Sequence, residues 1–297
     1  MMKKTRKFMA WILVCSSLFC TAGASLMPQN TESDTFAAVN EVSVDAEIDL
    51  DTYENRLMSD ELAAKSDEEI LEETLADPTV SEEVKEQLLL KEQLYQEALE
   101  SLENGYSRRA TSSFVDVEPI MQEDGTKCGP ATIQMVLNHN NISYDNQSSI
   151  QKAITGDNNS DNDNARKGTD LSRIMSYLNA RQTNRYERRT YKNEKQLLAF
   201  LDVASQLDLP VIHTAKVGSR DVKNGRWPYT TGGHFFILCG RDSYGDYVVS
   251  DPYYYPKYVS GVKENGRHEH SFEDLFTVST NYGNEDEDGY PVGYIGY

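Results

Sequence analysis

Gln122-Glu-Asp-Gly-Thr-Lys-Cys128-Gly-Pro-Ala131 sets a cysteine where a helix should begin, with a glutamine six residues upstream. The run that follows, Ala131-Thr-Ile-Gln-Met-Val-Leu137, has the composition of a buried helix. Pro130 fits its first turn, where the N–H that proline lacks would be unpaired in any case. The stretch therefore predicts Cys128 at a helix N-terminus. Unpaired amides and the positive end of the helix dipole favour a thiolate at that position. The side-chain amide of Gln122 and the backbone N–H of Cys128 are two donors that can form an oxyanion hole. The plain alternative is a buried, inert cysteine at a helix cap, so partners elsewhere in the chain have to decide.

A thiolate needs a base, and the base needs an orienting group. Of five histidines, His234 is the best placed. It follows Gly232-Gly233, where other backbone can approach closely, and it opens the apolar run Phe235 to Cys239. Asp242-Ser-Tyr-Gly-Asp246 is a tight-turn signal, after which Tyr247-Val-Val-Ser250 leads to Asp251-Pro252. In a hairpin turning near residue 243, Asp251 falls beside or diagonal to His234, roughly 7 Å away at the backbone and within side-chain reach. Asp251 can then accept one imidazole N–H and turn the other nitrogen toward the sulfur. His213 and His139 read as structural. His268-Glu-His270 puts two imidazoles on one strand face, but no third ligand for zinc is evident. The series Asp157, Asn159, Asp161, Asp163 lacks the turn glycine and closing glutamate of a calcium loop. No metal or cofactor is expected.

These pieces together resemble a known family. Gln122 six before Cys128, Cys-Gly-Pro-Ala, Gly-His-Phe-Phe-Ile-Leu-Cys-Gly and Val-Val-Ser-Asp-Pro are similar to the C39-like cysteine peptidases, relatives of the bacterial peptidases that process bacteriocin leaders. The resemblance covers about 114–297 and implies a papain-like fold. It also implies Cys128 as nucleophile, His234 as base, Asp251 as orienting acid and Gln122 as oxyanion donor. Leader peptidases are usually joined to a transporter. This chain shows neither its membrane spans nor its ATPase, so it is closer to the free-standing, exported branch, and a double-glycine leader is not carried over.

The rest of the chain frames that domain. Lys3, Lys4, Arg6 and Lys7, the apolar run Phe8 to Phe19 and Ala22-Gly23-Ala24 read as a signal peptide over 1–24, with Ser25 starting a secreted chain. Cys20 follows bulky Phe19, which argues against a lipoprotein. Cys15 and Cys20 would leave with the signal, so Cys128 and Cys239 remain, read as one reactive and one buried thiol. Residues 25–48 read as disordered. Residues 49–105 read as an acidic helical segment, a spacer or a pro-segment, with helices over Asp60 to Ala76 and Ser81 to Leu102. Residues 106–297 make the peptidase domain. The formal net charge is −19, and residues 25–105 hold 23 acidic against 4 basic residues. Nothing resembles the basic footprint of a nucleic-acid binder, and no second apolar run suggests a membrane span. One candidate surface for the leucine stripe of 49–105 is the catalytic cleft, with Arg108-Arg109 as a place to cut it free.

Further helices are expected over Gln147–Ile154, from a Thr169 cap to about Arg181, and over Glu194–Ser205. An Asn/Asp-rich loop spans 156–164. Strands are expected at 209–215, 234–241, 246–250, about 256–262 and 292–297. Helices first and an antiparallel sheet second indicate an α+β fold. The function expected is a thiol hydrolase acting on a peptide or protein substrate. Two other readings stay open: a peptide-binding module that has lost catalysis, and a thiol hydrolase or acyltransferase of cell-wall amides.

Overall fold

A computed structural model describes residues 65–105, 114–155, 169–182, 185–253, 265–285 and 289–297. The signal peptide, residues 25–48, Asp60, Arg108-Arg109, the Asn/Asp-rich loop and the strand expected at 256–262 lie outside the described residues. What is described falls in one compact unit, Ile48–Tyr297.

In chain order the elements are α1 (Asp67–Ala76), α2 (Glu82–Glu103), α3 (Cys128–His139), α4 (Gln147–Thr155), α5 (Leu171–Asn179), β1 (Arg188–Tyr191), α6 (Glu194–Gln206), β2 (Val211–Val217), α7 (Ser219–Lys223), β3 (Thr231–Arg241), β4 (Tyr247–Ser250), β5 (Arg267–His270), α8 (Phe272–Thr280) and β6 (Gly293–Gly296). Among the described residues six strands make an antiparallel sheet in the order β1-β6-β2-β3-β4-β5. The α+β arrangement, helices ahead of an antiparallel sheet, is as expected. The separation of the two is less strict than the sequence suggested: β1 precedes α6, and α8 lies between β5 and β6.

Alternation along β3 builds two cores. Phe235, Ile237 and Cys239 face α3, α4 and α5 and meet Ile133, Val136, Ile150 and Ile174. Phe236 and Leu238 face the other way and join Phe200 and Val203 of α6 with Leu275 and Val278 of α8. Each fully buried aliphatic or aromatic side chain of this kind contributes about 1.5–3 kcal/mol. The sheet thus separates the Cys128 helix from α6. The expected Thr169 cap is corrected to Asp170, whose side chain accepts from the Arg173 N–H at 2.8 Å. Thr169 instead presses on the start of α3. A Cβ on Gly129 would sit 2.2 Å from Thr169 Cγ2, so any larger residue directly after the cysteine would displace Thr169.

The acidic helices take a different place from the cleft suggested above. Serines cap both: Ser66 in a capping box with Glu69, and Ser81 accepting from Val84 N–H. Tyr95 of α2 stacks on Phe200 of α6 at 4.2 Å, and Leu94, Leu99 and Leu102 pack against the same core. Asp67 accepts from the Thr190 N–H at 2.8 Å and its Oγ1 at 3.0 Å, which covers edge strand β1. Lys91 Nζ donates to the Arg185 carbonyl at 2.6 Å, and Glu92 pairs with Arg189 at 3.2 Å. The leucine stripe therefore lies on the face of the sheet away from Cys128, where it does not cover the nucleophile.

Candidate active site

Cys128 is the first residue of α3, and no side chain caps the helix start. Its orphan N–H groups are therefore available to an anion. The loop leading to it is held rigidly. Asp124 Oδ1 accepts from the Thr126 N–H and Oγ1, and Lys127 pairs with Glu123 at 2.7 Å and Asp124 at 3.1 Å. Gln147 of α4 clamps the same loop by accepting from Glu123 N–H and donating to the Met121 carbonyl, each at 2.8 Å. The Gln122 N–H donates to the Pro252 carbonyl at 2.9 Å, which ties this loop to the residue beside Asp251.

His234 lies near the start of β3 and Asp251 directly after β4. The ladder pairs Ile237 with Ser250 and Leu238 with Val249, so the two functional residues are diagonal neighbours. His234 Nε2 lies 2.7 Å from Asp251 Oδ1. That leaves Nδ1 for the sulfur, and Cys128 is among the groups that raise the ring's affinity for a proton. Cys128, His234 and Asp251 are all buried. Burial alone would push the imidazole down, but the charge and hydrogen bond of Asp251, then Cys128, outweigh it and raise His234 to about 10. Burial would raise Asp251, but the charge and hydrogen bond of His234 and then those of His268 outweigh it and hold the carboxyl well below its usual range.

Asp251 is held by more groups than the sequence indicated. Oδ1 also accepts from the Tyr253 N–H at 2.7 Å, while Oδ2 accepts from the Tyr229 hydroxyl and from His268 Nε2 at 2.8 Å. Burial, reinforced by the Asp251 charge, raises the Tyr229 phenol well above its ordinary value, so it remains a donor. The histidines of β5 thus serve the carboxylate behind the base. The signal for this was the polar alternation Arg-His-Glu-His beside a strand ending in Asp251.

Gln122 is buried close to the helix start, with its amide turned in an unforeseen direction. Nε2 donates to the Asp124 carbonyl at 2.6 Å, which leaves one amide hydrogen, and Oε1 has no hydrogen-bond partner among the described residues. His213 is structural: buried, bonded to the Tyr191 hydroxyl at 2.7 Å and the Thr214 carbonyl at 2.9 Å, and pushed down to about 3 by burial. His139 sits in the last turn of α3 against Asp208. Cys239 is buried in β3, and burial raises its thiol to about 11. No helix among the described residues is long and apolar enough to cross a membrane.

Residues 114–275 match the Peptidase_C39 like family. Among solved structures, the peptidase domain of Streptococcus ComA, a bi-functional ABC transporter involved in a quorum sensing pathway, is similar at 17% identity, over 61% of this chain and 97% of that domain, with a TM-score of 0.37. A double glycine motif protease from an AMS/PCAT transporter, solved in complex with the leader peptide, is similar at 16% identity, over 63% of this chain and 93% of that one, with a TM-score of 0.35. No curated protein matches the chain.

Proposed function

Because this chain belongs to the Peptidase_C39 like family, which matches it over residues 114–275, we propose that it is a secreted cysteine peptidase cleaving a peptide amide with Cys128, His234, Asp251 and Gln122. The observation that carries the reading is one buried imidazole bonded to a buried carboxylate at 2.7 Å, with Cys128, the residue that opens α3, among the groups that act on its charge.

In this mechanism the Cys128 proton passes to His234 Nδ1, and the thiolate attacks the substrate carbonyl carbon. The Cys128 N–H and the remaining hydrogen on Gln122 Nε2 stabilise the oxyanion. His234 then gives the proton to the leaving amine, which departs and leaves a thioester. Water, deprotonated by the same imidazole, attacks the thioester, releases the carboxylate and restores the thiol. Asp251 keeps Nε2 protonated throughout and so fixes the tautomer.

The test is exposure of the purified chain to a diverse peptide library, with cleavage read by mass spectrometry. Cleavage that disappears in Cys128→Ser supports the reading. A folded wild-type chain that cleaves no peptide, or a Cys128→Ser variant that cleaves as well as wild type, contradicts it.

A further inference from the structure

Gln147 has no step in the chemistry just described, yet its side chain fastens the residue that binds the oxyanion. It is the first residue of α4 and is buried. Its Oε1 accepts from the Glu123 N–H and its Nε2 donates to the Met121 carbonyl, each at 2.8 Å. The second hydrogen of Nε2 goes to Gln134 Oε1 of α3 at 3.0 Å. Gln134 Nε2 in turn donates to the Asp145 carbonyl at 2.8 Å. We propose that Gln147 is a positioning residue for the oxyanion hole, setting the backbone of Gln122 against the helix that begins with Cys128. The proposal rests on the cysteine peptidase reading above.

The amide orientations follow from the partners. A backbone N–H only donates and a carbonyl only accepts, so Gln147 faces Glu123 with its oxygen and Met121 with its nitrogen. Gln134 meets a carbonyl at Asp145, so its nitrogen lies there and its oxygen faces Gln147. Turning either amide over would set lone pair against lone pair. Both hydrogens and the oxygen of the Gln147 amide are therefore in use. A buried amide matched in this way is held in one place, and so are the groups it bonds.

The two backbone bonds flank Gln122. The Met121 carbonyl and the Glu123 N–H are taken by Gln147, while the Gln122 N–H goes to the Pro252 carbonyl at 2.9 Å. This is how the middle strand of a sheet bonds a neighbour on each side. Gln122 is thus gripped by α4 on one side and by the residue after Asp251 on the other. Its side chain is fixed as well: the Asp124 carbonyl accepts from Gln122 Nε2 at 2.6 Å and from the N–H of Lys127, the residue before Cys128, at 3.3 Å. The two donors of the hole, Gln122 Nε2 and the Cys128 N–H, come from different segments, and their relative placement decides how well an oxyanion is held. The bond from Gln147 to Gln134 joins the first segment to the helix that carries the second. Without it the nucleophile and base keep their places, but residues 121–123 can shift against α3, and a misplacement of about 1 Å can cost about a hundredfold in rate.

Kinetics on the full chain test the proposal, using a peptide that the wild type cleaves. Gln147→Met keeps the length and burial of the side chain but none of its three bonds. It should lower kcat about tenfold with KM held. Alkylation of Cys128 by iodoacetamide should match wild type, because displacement at sulfur forms no oxyanion. In Gln122→Ala, where the side-chain donor is already gone, adding Gln147→Met should cost nothing further. An unchanged kcat, an alkylation rate that falls in step with kcat, or losses that add in the double variant would each overturn the positioning role. Gln147→Asn, whose amide is too short to span residues 121 and 123, gives the same readings if Gln147→Met does not fold. A wild-type chain that cleaves no peptide ends the peptidase reading and this role with it, whereas cleavage indifferent to Gln147 ends the role alone.

Discussion

Two clusters of ionisable groups lie toward opposite edges of the sheet, one at β3–β5 and one at β1, and they are finished to different standards. Beside Cys128, Asp251 accepts four hydrogen bonds, from His234, Tyr253, Tyr229 and His268. Under the acidic helices, Asp67, Glu92, Glu187, Arg188 and Arg189 meet in ion pairs of 3.2 to 3.8 Å. Yet Asp67 Oδ1, both carboxylate oxygens of Glu187 and Arg188 Nε have no hydrogen-bond partner among the described residues. A carboxylate that accepts four hydrogen bonds is fixed in position, and fixed positions are what proton transfer needs. A partly connected cluster holds two elements together by charge, and apolar side chains of similar volume could do the same. On this account the first cluster serves chemistry and the second attachment.

The largest effect expected is on activity at the first cluster. Cys128→Ala and His234→Asn should each lower kcat/KM by about 10⁴ or more, since nucleophile and base act as a unit. If either retains activity within tenfold of wild type, the contrast between the clusters disappears. Next comes stability at the second cluster. Arg189→Ala leaves Glu92 and Glu187 unmatched and should cost about 3–5 kcal/mol in urea unfolding, with kcat/KM unchanged. Replacing Glu187 and Arg189 together by Leu and Met should recover most of that loss; failure to recover would make the ion pairs more than an attachment. Smaller again is Gln122→Ala, expected to lower kcat about a hundredfold with KM held. An unchanged kcat would reduce Gln122 to its bond with the Asp124 carbonyl.

The smallest net effect is on the pH dependence of stability, because the clusters pull in opposite directions. His234 is raised to about 10, so its contribution is full below about 6.5 and is lost as pH rises toward 10. Lys91 is lowered by burial to about 7, so the cost of burying it is relieved as pH rises from 7 toward its ordinary 10.5. Between pH 7 and 10 the two slopes oppose. His234→Asn should make stability rise with pH across that window, and Lys91→Met should make it fall more steeply. Parallel curves for wild type and both variants would deny the two shifts.

Where apolar pattern and local chemistry agreed, the sequence could be read. The α3 start with its early proline, the α4 and α6 helices and the β3–β4 hairpin carry their signals in adjacent residues, and with them the positions of Cys128, His234 and Asp251. Strand β1 could not be read that way. Arg188-Arg-Thr-Tyr191 looks exposed, and it is buried only because Asp67 and Glu92 arrive from far upstream to meet the charges. Strand β5 hid for a similar reason: its two inward residues are histidines whose partners lie on other segments. Helix α8 went unread although its Ser271 cap was present in the sequence, with Asp274 N–H donating to its hydroxyl at 3.2 Å, because the β-branched residues of Phe-Thr-Val-Ser-Thr favour helix weakly and packing on the sheet decides it. The place of the acidic helices depended on Tyr95 finding Phe200, a contact that composition does not contain.

The two cysteines Cys128 and Cys239 differ in that His234 acts on only the first of them. Both are free and buried, so each serves as control for the other. The direct measurement is timed alkylation of the native chain with iodoacetamide at neutral pH, with each cysteine followed by peptide mass mapping, in wild type and in His234→Asn. Cys128 alone should label rapidly, and in the variant it should slow to the rate of Cys239. Equal slow labelling of both cysteines in wild type, or a Cys128 rate indifferent to His234, would contradict it.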